Sequence, residues 1–176
     1  MKARCYQWLR ERDNRMFLWC NHTLSHFVLD RLLRWTTHIG SAACTILCML
    51  GVILFAPEPW RGIGWQGLAA LSFSHILAVI VKKKIQRSRP YEAIQGTKIL
   101  INPLKDYSFP SGHTTAVFST VTPFLFASDW ISYLLLPLAF TVGLSRIYLG
   151  VHYPSDCMAG CLIGMATALL IVIVAG

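Results

Sequence analysis

Acidic residues are scarce in this 176-residue chain. Eight Asp and Glu stand against sixteen Lys and Arg, and all charged residues together make up only 14%. That supply of carboxylates offers no obvious cage for a metal ion. Cysteine occurs six times, at Cys5, Cys20, Cys44, Cys48, Cys157 and Cys161, yet no C-x-x-C pair is formed. Zinc-finger spacing is therefore missing. Cys44/Cys48 and Cys157/Cys161 are helical i,i+4 neighbours inside apolar runs, where cysteine packs as a small hydrophobe. No basic–aromatic nucleic-acid motif, internal repeat or low-complexity segment is found, so nucleic acid is not an expected partner. The N-terminus "MKARCYQWLRERDNRMFLWC" has neither a continuous apolar stretch nor a small-residue cleavage site, and a removable signal peptide is not expected.

Hydrophobic residues are abundant, at 55% with a mean hydropathy of +0.51. A soluble domain of this length could not hide so much apolar surface, which makes the bilayer the expected solvent. The formal charge of +8 then points to anionic headgroups or phosphate as partners. Five apolar runs follow one another, at about 37–57, 63–81, 114–128, 130–147 and 157–176. The first, second and fifth approach the roughly 20 residues of a spanning helix. The third and fourth are shorter, so the polar residues at their ends are expected to continue the helices. Pro123 and Pro137 fall inside them, a position that packed membrane helices tolerate. Before these runs, "LSHFVLDRLLRW" (24–35) repeats apolar residues at helical spacing, with Asp30 placed to pair with Arg34. It reads as an amphipathic helix lying in the interface or packed on the bundle. The expected fold is an all-α polytopic membrane helix bundle of about five transmembrane helices. Residues 1–35 form an interfacial segment and 36–176 the membrane-embedded domain.

An odd number of spans puts the N-terminal segment, the 82–113 loop and the 146–156 loop on one face. Every polar motif lies there. "KKKIQRSRP" (82–90) sets Lys82 and Arg89 seven residues apart, about two turns, so both can project from one side of a helix end. Pro90 disfavours helical geometry at Arg89. Alone, such basic residues are commonly headgroup anchors. In "YSFPSGHTT" (107–115), Pro110 suits the first position of a helix, with Ser111 and Gly112 in its first turn. Free N–H groups at that helix start make an anion site, and His113 lies beside it. In "SRIYLGVHYPSD" (145–156), Arg146 ends the fourth run, His152 sits in the turn, and Asp156 falls in the first turn of the last helix. Asp156 can accept the His152 Nδ1–H and leave Nε2 electron-rich. A His–Asp pair can also merely pin two helices. Co-occurrence decides: three cations, an anion-binding helix start and two histidines on one membrane face describe a pocket for a phosphate whose ester group stays in the bilayer. His75, midway along the second run, reads as a packed, hydrogen-bonded histidine.

Read together, these motifs resemble the tripartite signature of the type 2 phosphatidic acid phosphatase superfamily, which also contains soluble vanadium haloperoxidases. K-x6-R-P appears at 82–90, P-S-G-H at 110–113 and S-R-x5-H-x3-D at 145–156, separated by 19 and 31 residues. The resemblance implies a metal-independent, cofactor-free membrane lipid-phosphate phosphatase. In it His152 attacks phosphorus to form a phosphohistidine, Asp156 orients the ring, and His113 protonates the leaving oxygen and then activates water. Lys82, Arg89, Arg146, Ser111 and the Gly112 N–H would hold the non-bridging oxygens. Members typically have six spans, and this chain replaces the first with segment 1–35, as compact undecaprenyl-pyrophosphate phosphatases do. Many of those carry Asp at the position of Gly112, whereas "PSGH" is shared with phosphatidylglycerophosphate, phosphatidate and lipid A phosphatases. The polyprenyl substrate ranks first and the other lipid phosphates second. A vanadate-dependent haloperoxidase and a non-catalytic lipid-binding membrane protein are the readings from other classes.

Resemblance and charge distribution point to opposite faces of the membrane. The resemblance implies a bacterial inner membrane with the active site at the periplasmic, outer face. Yet fifteen of the sixteen Lys and Arg fall on the active-site face, with Arg61 alone opposite, and the positive-inside rule would put that face in the cytoplasm.

Overall fold

A computed structural model describes residues 2–127 and 129–175. Met1, Ser128 and Gly176, at the limits of expected segments, lie outside the described residues. The chain is helical throughout: α1 Lys2–Leu18, continued by a wider π-helical turn Trp19–Thr23; α2 Phe27–Thr36; α3 Ala42–Phe55; α4 Trp60–Ile85; a single turn α5 Pro90–Ala93; α6 Gly112–Leu125; α7 Asp129–Tyr148; α8 Pro154–Ala175. The second to fifth expected apolar runs each coincide with one helix. As expected, the two shorter ones extend into their motifs, since α6 begins inside "PSGH" and α7 runs through Ser145 and Arg146. The stretches from Trp60, from Trp130 and from Pro154 are each long and apolar enough to cross a membrane. A fourth crossing is broken, with Phe27–Gly40 and Ala42–Phe55 meeting at 58°. Thus the first apolar run is a bent element and not one straight helix. Ser41 causes the break: its extended backbone starts α3, and its Oγ caps the Cys44 N–H at 3.3 Å.

Helix α6 occupies the centre and packs against α8, α4, α7 and α3. At 14 residues it is about 21 Å long, short for a span. Every residue from Thr114 to Phe124 is buried. Its hydroxyls are kept out of apolar surroundings by bonding back along the helix, as Ser119 Oγ and Thr120 Oγ1 do to the Ala116 carbonyl and Thr122 Oγ1 does to that of Phe118. Helix α8 lies against it at backbone distance. A Cβ on Gly160 would fall 2.7 Å from the Ser111 carbonyl oxygen, and one on Gly164 would fall 2.6 Å from that of Thr115. This small-x-x-x-small stripe is how membrane helices gain van der Waals contact without a hydrophobic drive between them.

The amphipathic segment serves both of its expected surroundings. Leu33 is buried against Tyr148 and Leu149, while Phe27, Leu32 and Trp35 remain exposed on the other side of α2. The expected Asp30–Arg34 pair is not formed. Asp30 Oδ1 instead accepts the Tyr148 hydroxyl, whose oxygen accepts the His26 N–H at 3.1 Å. A surface ion pair is worth little, and the phenol draws the carboxylate inward to dock α2 on the end of α7.

Gly164→Leu is expected to lower stability by about 3 kcal/mol or more, because backbone must move to admit the side chain. Gly51→Ala meets nothing within 4 Å and should be neutral or slightly stabilising. Thermal unfolding of both variants in detergent checks the contrast, and equal midpoints would contradict it.

Candidate active site

The motif residues converge on one cavity of about 680 Å³ between α3, α4 and α6, walled by Lys82, Arg89, Gly112, His113, Arg146 and His152. Ser111 and Asp156 stand just behind that wall, both fully buried. The local turns explain the convergence. Helix α4 stops at Ile85 because Gln86 takes a left-handed conformation (φ 48°). Arg89 is therefore extended, at the start of α5, where Glu92 accepts its N–H at 2.9 Å. Lys82 and Arg89 thus do not share a helix face, contrary to the sequence reading; they meet from two elements. Pro110 does not open α6 either. Ser111 is the N-cap, accepting from the Thr114 hydroxyl at 3.0 Å, and Gly112 is the first helical residue. The first-turn N–H groups of Gly112 and His113 have no partner within the helix, and both residues face the cavity.

Helix α8 and the turn before it bring Asp156 and His152 to this helix start. Its close approach lets the Ser111 N–H donate to the Asp156 carbonyl at 3.0 Å. The Asp156 carboxylate lies 3.6 Å from His152 Nδ1, beyond a direct hydrogen bond, and Ser108 bridges them. Its Oγ is 2.5 Å from Asp156 Oδ2 and 3.5 Å from His152 Nδ1. On the other side of the ring, Arg89 Nη1 lies 3.3 Å from Nε2. A guanidinium can only donate, so Nε2 carries the lone pair and Nδ1 the proton. Desolvation is the chief force lowering the His152 pKa, with Arg146 and Arg89 repelling the charged ring and Asp156 opposing them; the result is a fall to about 4. The imidazole is neutral and lines the cavity.

The three cations are not equivalent. Arg89 is largely committed: Nε donates to the Asp106 carbonyl, Nη1 to that of Val151, and Nη2 to Asp106 Oδ1. Lys82 also pairs with Asp106, at 2.5 Å. Burial raises the Asp106 pKa, but Lys82 and Arg89 outweigh it and hold the carboxyl at about 2. Arg146 differs. It is 1% exposed, Nη1 donates to Thr37 at 2.7 Å, and its Nε and Nη2 have no partner among the described residues. A buried guanidinium left so is costly unless an anion meets it. The chemistry of this donor set fits a phosphate.

Sequence reasoning missed Ser108, Asp106, Arg87 and Thr37, which all lie outside the long helices; Arg87 donates to Asp156 Oδ1 at 2.7 Å. His75 was misread. It is exposed, bonds to no group among the described residues, and lines the cavity with Leu68, Ser72, Val79 and Lys82 along one face of α4. That face and Ile46 of α3 carry the cavity from the polar site into the apolar zone. A smaller hollow of about 310 Å³ on α2 shares no residue with this site.

The family model of the PAP2 superfamily matches residues 64–176. The chain belongs to the PAP2 superfamily. Among its PAP2 relatives, the undecaprenyl-diphosphatase of Sulfolobus acidocaldarius is 34% identical over 59% of this chain and 51% of its own length. The decaprenylphosphoryl-5-phosphoribose phosphatase of Mycobacterium tuberculosis is 34% identical over 81% of this chain and 78% of its own. The chain thus spans about half the length of the first of these. The crystal structure of Aquifex aeolicus LpxE superposes with a TM-score of 0.83 at 26% identity, covering 90% of this chain and 93% of that one. The PAP2 fold of this chain is that of an integral membrane helix bundle.

Were His152 the attacking group, its neutral form would be required and activity would fall as pH drops through its pKa. The acid limb of kcat/KM is expected near pH 4, well below the usual histidine value of about 6.5. A limb at the ordinary histidine value would contradict a buried, cation-flanked ring.

Proposed function

We propose that the protein is a metal-independent lipid-phosphate phosphatase working through a phosphohistidine. The observation that carries this is the buried Arg146 with two unpartnered guanidinium nitrogens, facing the cavity that holds the neutral His152. Phosphate oxygens would take the Arg146 Nε–H and Nη2–H, the N–H groups of Gly112 and His113, and Lys82. Arg89 would contribute through Nη1, beside the nucleophile. The Nε2 lone pair of His152 then forms the N–P bond as the P–O bond to the lipid breaks, and His113, whose charged form the bound phosphate favours, gives its proton to the leaving oxygen. His113 next takes a proton from water, which attacks phosphorus, breaks the N–P bond and releases inorganic phosphate. Asp156 offsets the positive charge that develops on the ring.

For the substrate we infer a polyprenyl diphosphate, with other lipid phosphates as the alternative. Relatives carry polyprenyl names, and the cavity runs from the cations along apolar Leu68, Leu71, Ile76 and Val79 into the bilayer zone. The N-terminal segment 1–35 would rest in the interface, with the site opening at the outer face of an inner membrane. Labelling a cysteine introduced at exposed Lys105 with an impermeant thiol reagent on intact cells decides the side; protection until lysis would reverse it.

The main test is phosphate release from undecaprenyl diphosphate, phosphatidylglycerophosphate, phosphatidate and lipid A in detergent with EDTA present. The wild-type protein is expected to turn over the diphosphate fastest, and His152→Ala to lose at least about a thousandfold in kcat. Undiminished activity in His152→Ala, or strict dependence on Mg²⁺, would overturn the mechanism.

A further inference from the structure

We propose that Arg87 is a positioning residue for the His152–Asp156 pair, and that helix α1 holds it in place through Asp13. This rests on the reading of His152 as the nucleophile. The Asp156 side chain is wholly buried, and its two oxygens have divided tasks. Oδ2 faces His152 and accepts from Ser108 Oγ and the Tyr153 N–H. Oδ1, pointing away, accepts from Arg87 Nη1 at 2.7 Å. Arg87 thereby fixes the rotation of the carboxylate without occupying the oxygen that the imidazole needs.

The guanidinium is itself over-determined. Its Nη1 also donates to Ser155 Oγ at 2.7 Å, and Nη2 donates to Asp13 Oδ2 at 2.6 Å. Its plane lies over the Tyr153 ring, 3.8 Å from the centroid. Asp13 is 8% exposed, and its Oδ1 accepts the Ser155 N–H at 2.9 Å. Two carboxylates on two nitrogens of one planar fork are a geometry that a lysine ammonium cannot reproduce. The network ties α1 to the start of α8, with Phe17 packed beside it on Tyr153 and Cys157. A segment remote in sequence from the motifs therefore sets the aim of the carboxylate that aims the nucleophile.

Arg87 touches neither the phosphate cations nor the cavity wall, so its loss should act on the chemical step. Arg87→Ala is expected to lower kcat roughly a hundredfold, the effect of mis-aiming a reacting group by about 1 Å, with KM and the inhibition constant of inorganic phosphate, a ground-state ligand, within about twofold of wild type. Arg87→Lys, which can meet Asp156 or Asp13 but not both in plane, should recover only part of kcat. Asp13→Asn should lower kcat less, in the same direction. The double variant Asp13→Asn/Arg87→Ala should match Arg87→Ala alone, because α1 acts through the guanidinium.

Kinetics on purified protein in detergent, with thermal midpoints measured in parallel, read all four. An Arg87→Ala enzyme with wild-type kcat would overturn the proposal. So would a kcat loss matched by an equal weakening of inorganic phosphate inhibition, or fully additive effects in the double variant. If Arg87→Ala does not fold, Arg87→Lys and Asp13→Asn carry the same test, and wild-type kcat in both would overturn it. A wild-type protein that releases no phosphate would count against the phosphatase reading, whereas an active wild type with an insensitive Arg87 counts against this inference alone.

Discussion

Backbone contact between α6 and α8 is the constraint on which the site depends. With glycine at 160 and 164, α8 approaches until the Ser111 N–H bonds the Asp156 carbonyl at 3.0 Å. That contact joins two pieces of chemistry made on different helices, the anion-binding start of α6 and the His–Asp turn before α8. Larger residues at the stripe would separate the helices, and a nucleophile displaced by 1 Å loses most of its advantage. The bilayer supplies no hydrophobic force to press these helices together. Shape must do it.

Electrostatics then divides labour inside the cavity. Asp106 occupies Lys82 and most of Arg89, so these cations are held in place and partly neutralised. Arg146 is left as the cation with unspent donors. The same positive surroundings, together with burial, keep His152 unprotonated, and a neutral ring with its lone pair toward the cavity is what nucleophilic attack requires. Binding and activation follow from a single arrangement of charge.

Much of this was legible in the sequence because chemistry restricts it. Apolar runs declared the helices, and the motif spacing singled out Lys82, Arg89, His113, Arg146 and His152, which the fold gathers around one cavity with Asp156 behind them. What escaped has a common cause. Ser108, Asp106 and Thr37 are ordinary polar residues whose partners lie far along the chain, so no local period marks them. Arg87 was hidden as one of five basic residues in nine positions. The N-cap role of Ser111 was misplaced by one or two residues because Pro110 is also a fitting helix starter. His75 was read as packed, since a polar group in an apolar run usually is; its face of α4 instead borders the cavity.

Everything in this account turns on His152 Nε2 bonding to phosphorus. Rapid acid-free quenching of the enzyme during turnover of a lipid phosphate, followed by mass spectrometry of the peptide spanning 145–156, tests that bond directly. The account predicts a base-stable, acid-labile phosphoryl group on His152. Sustained phosphate release with rapid-quench time points that never show modification of His152 would contradict it.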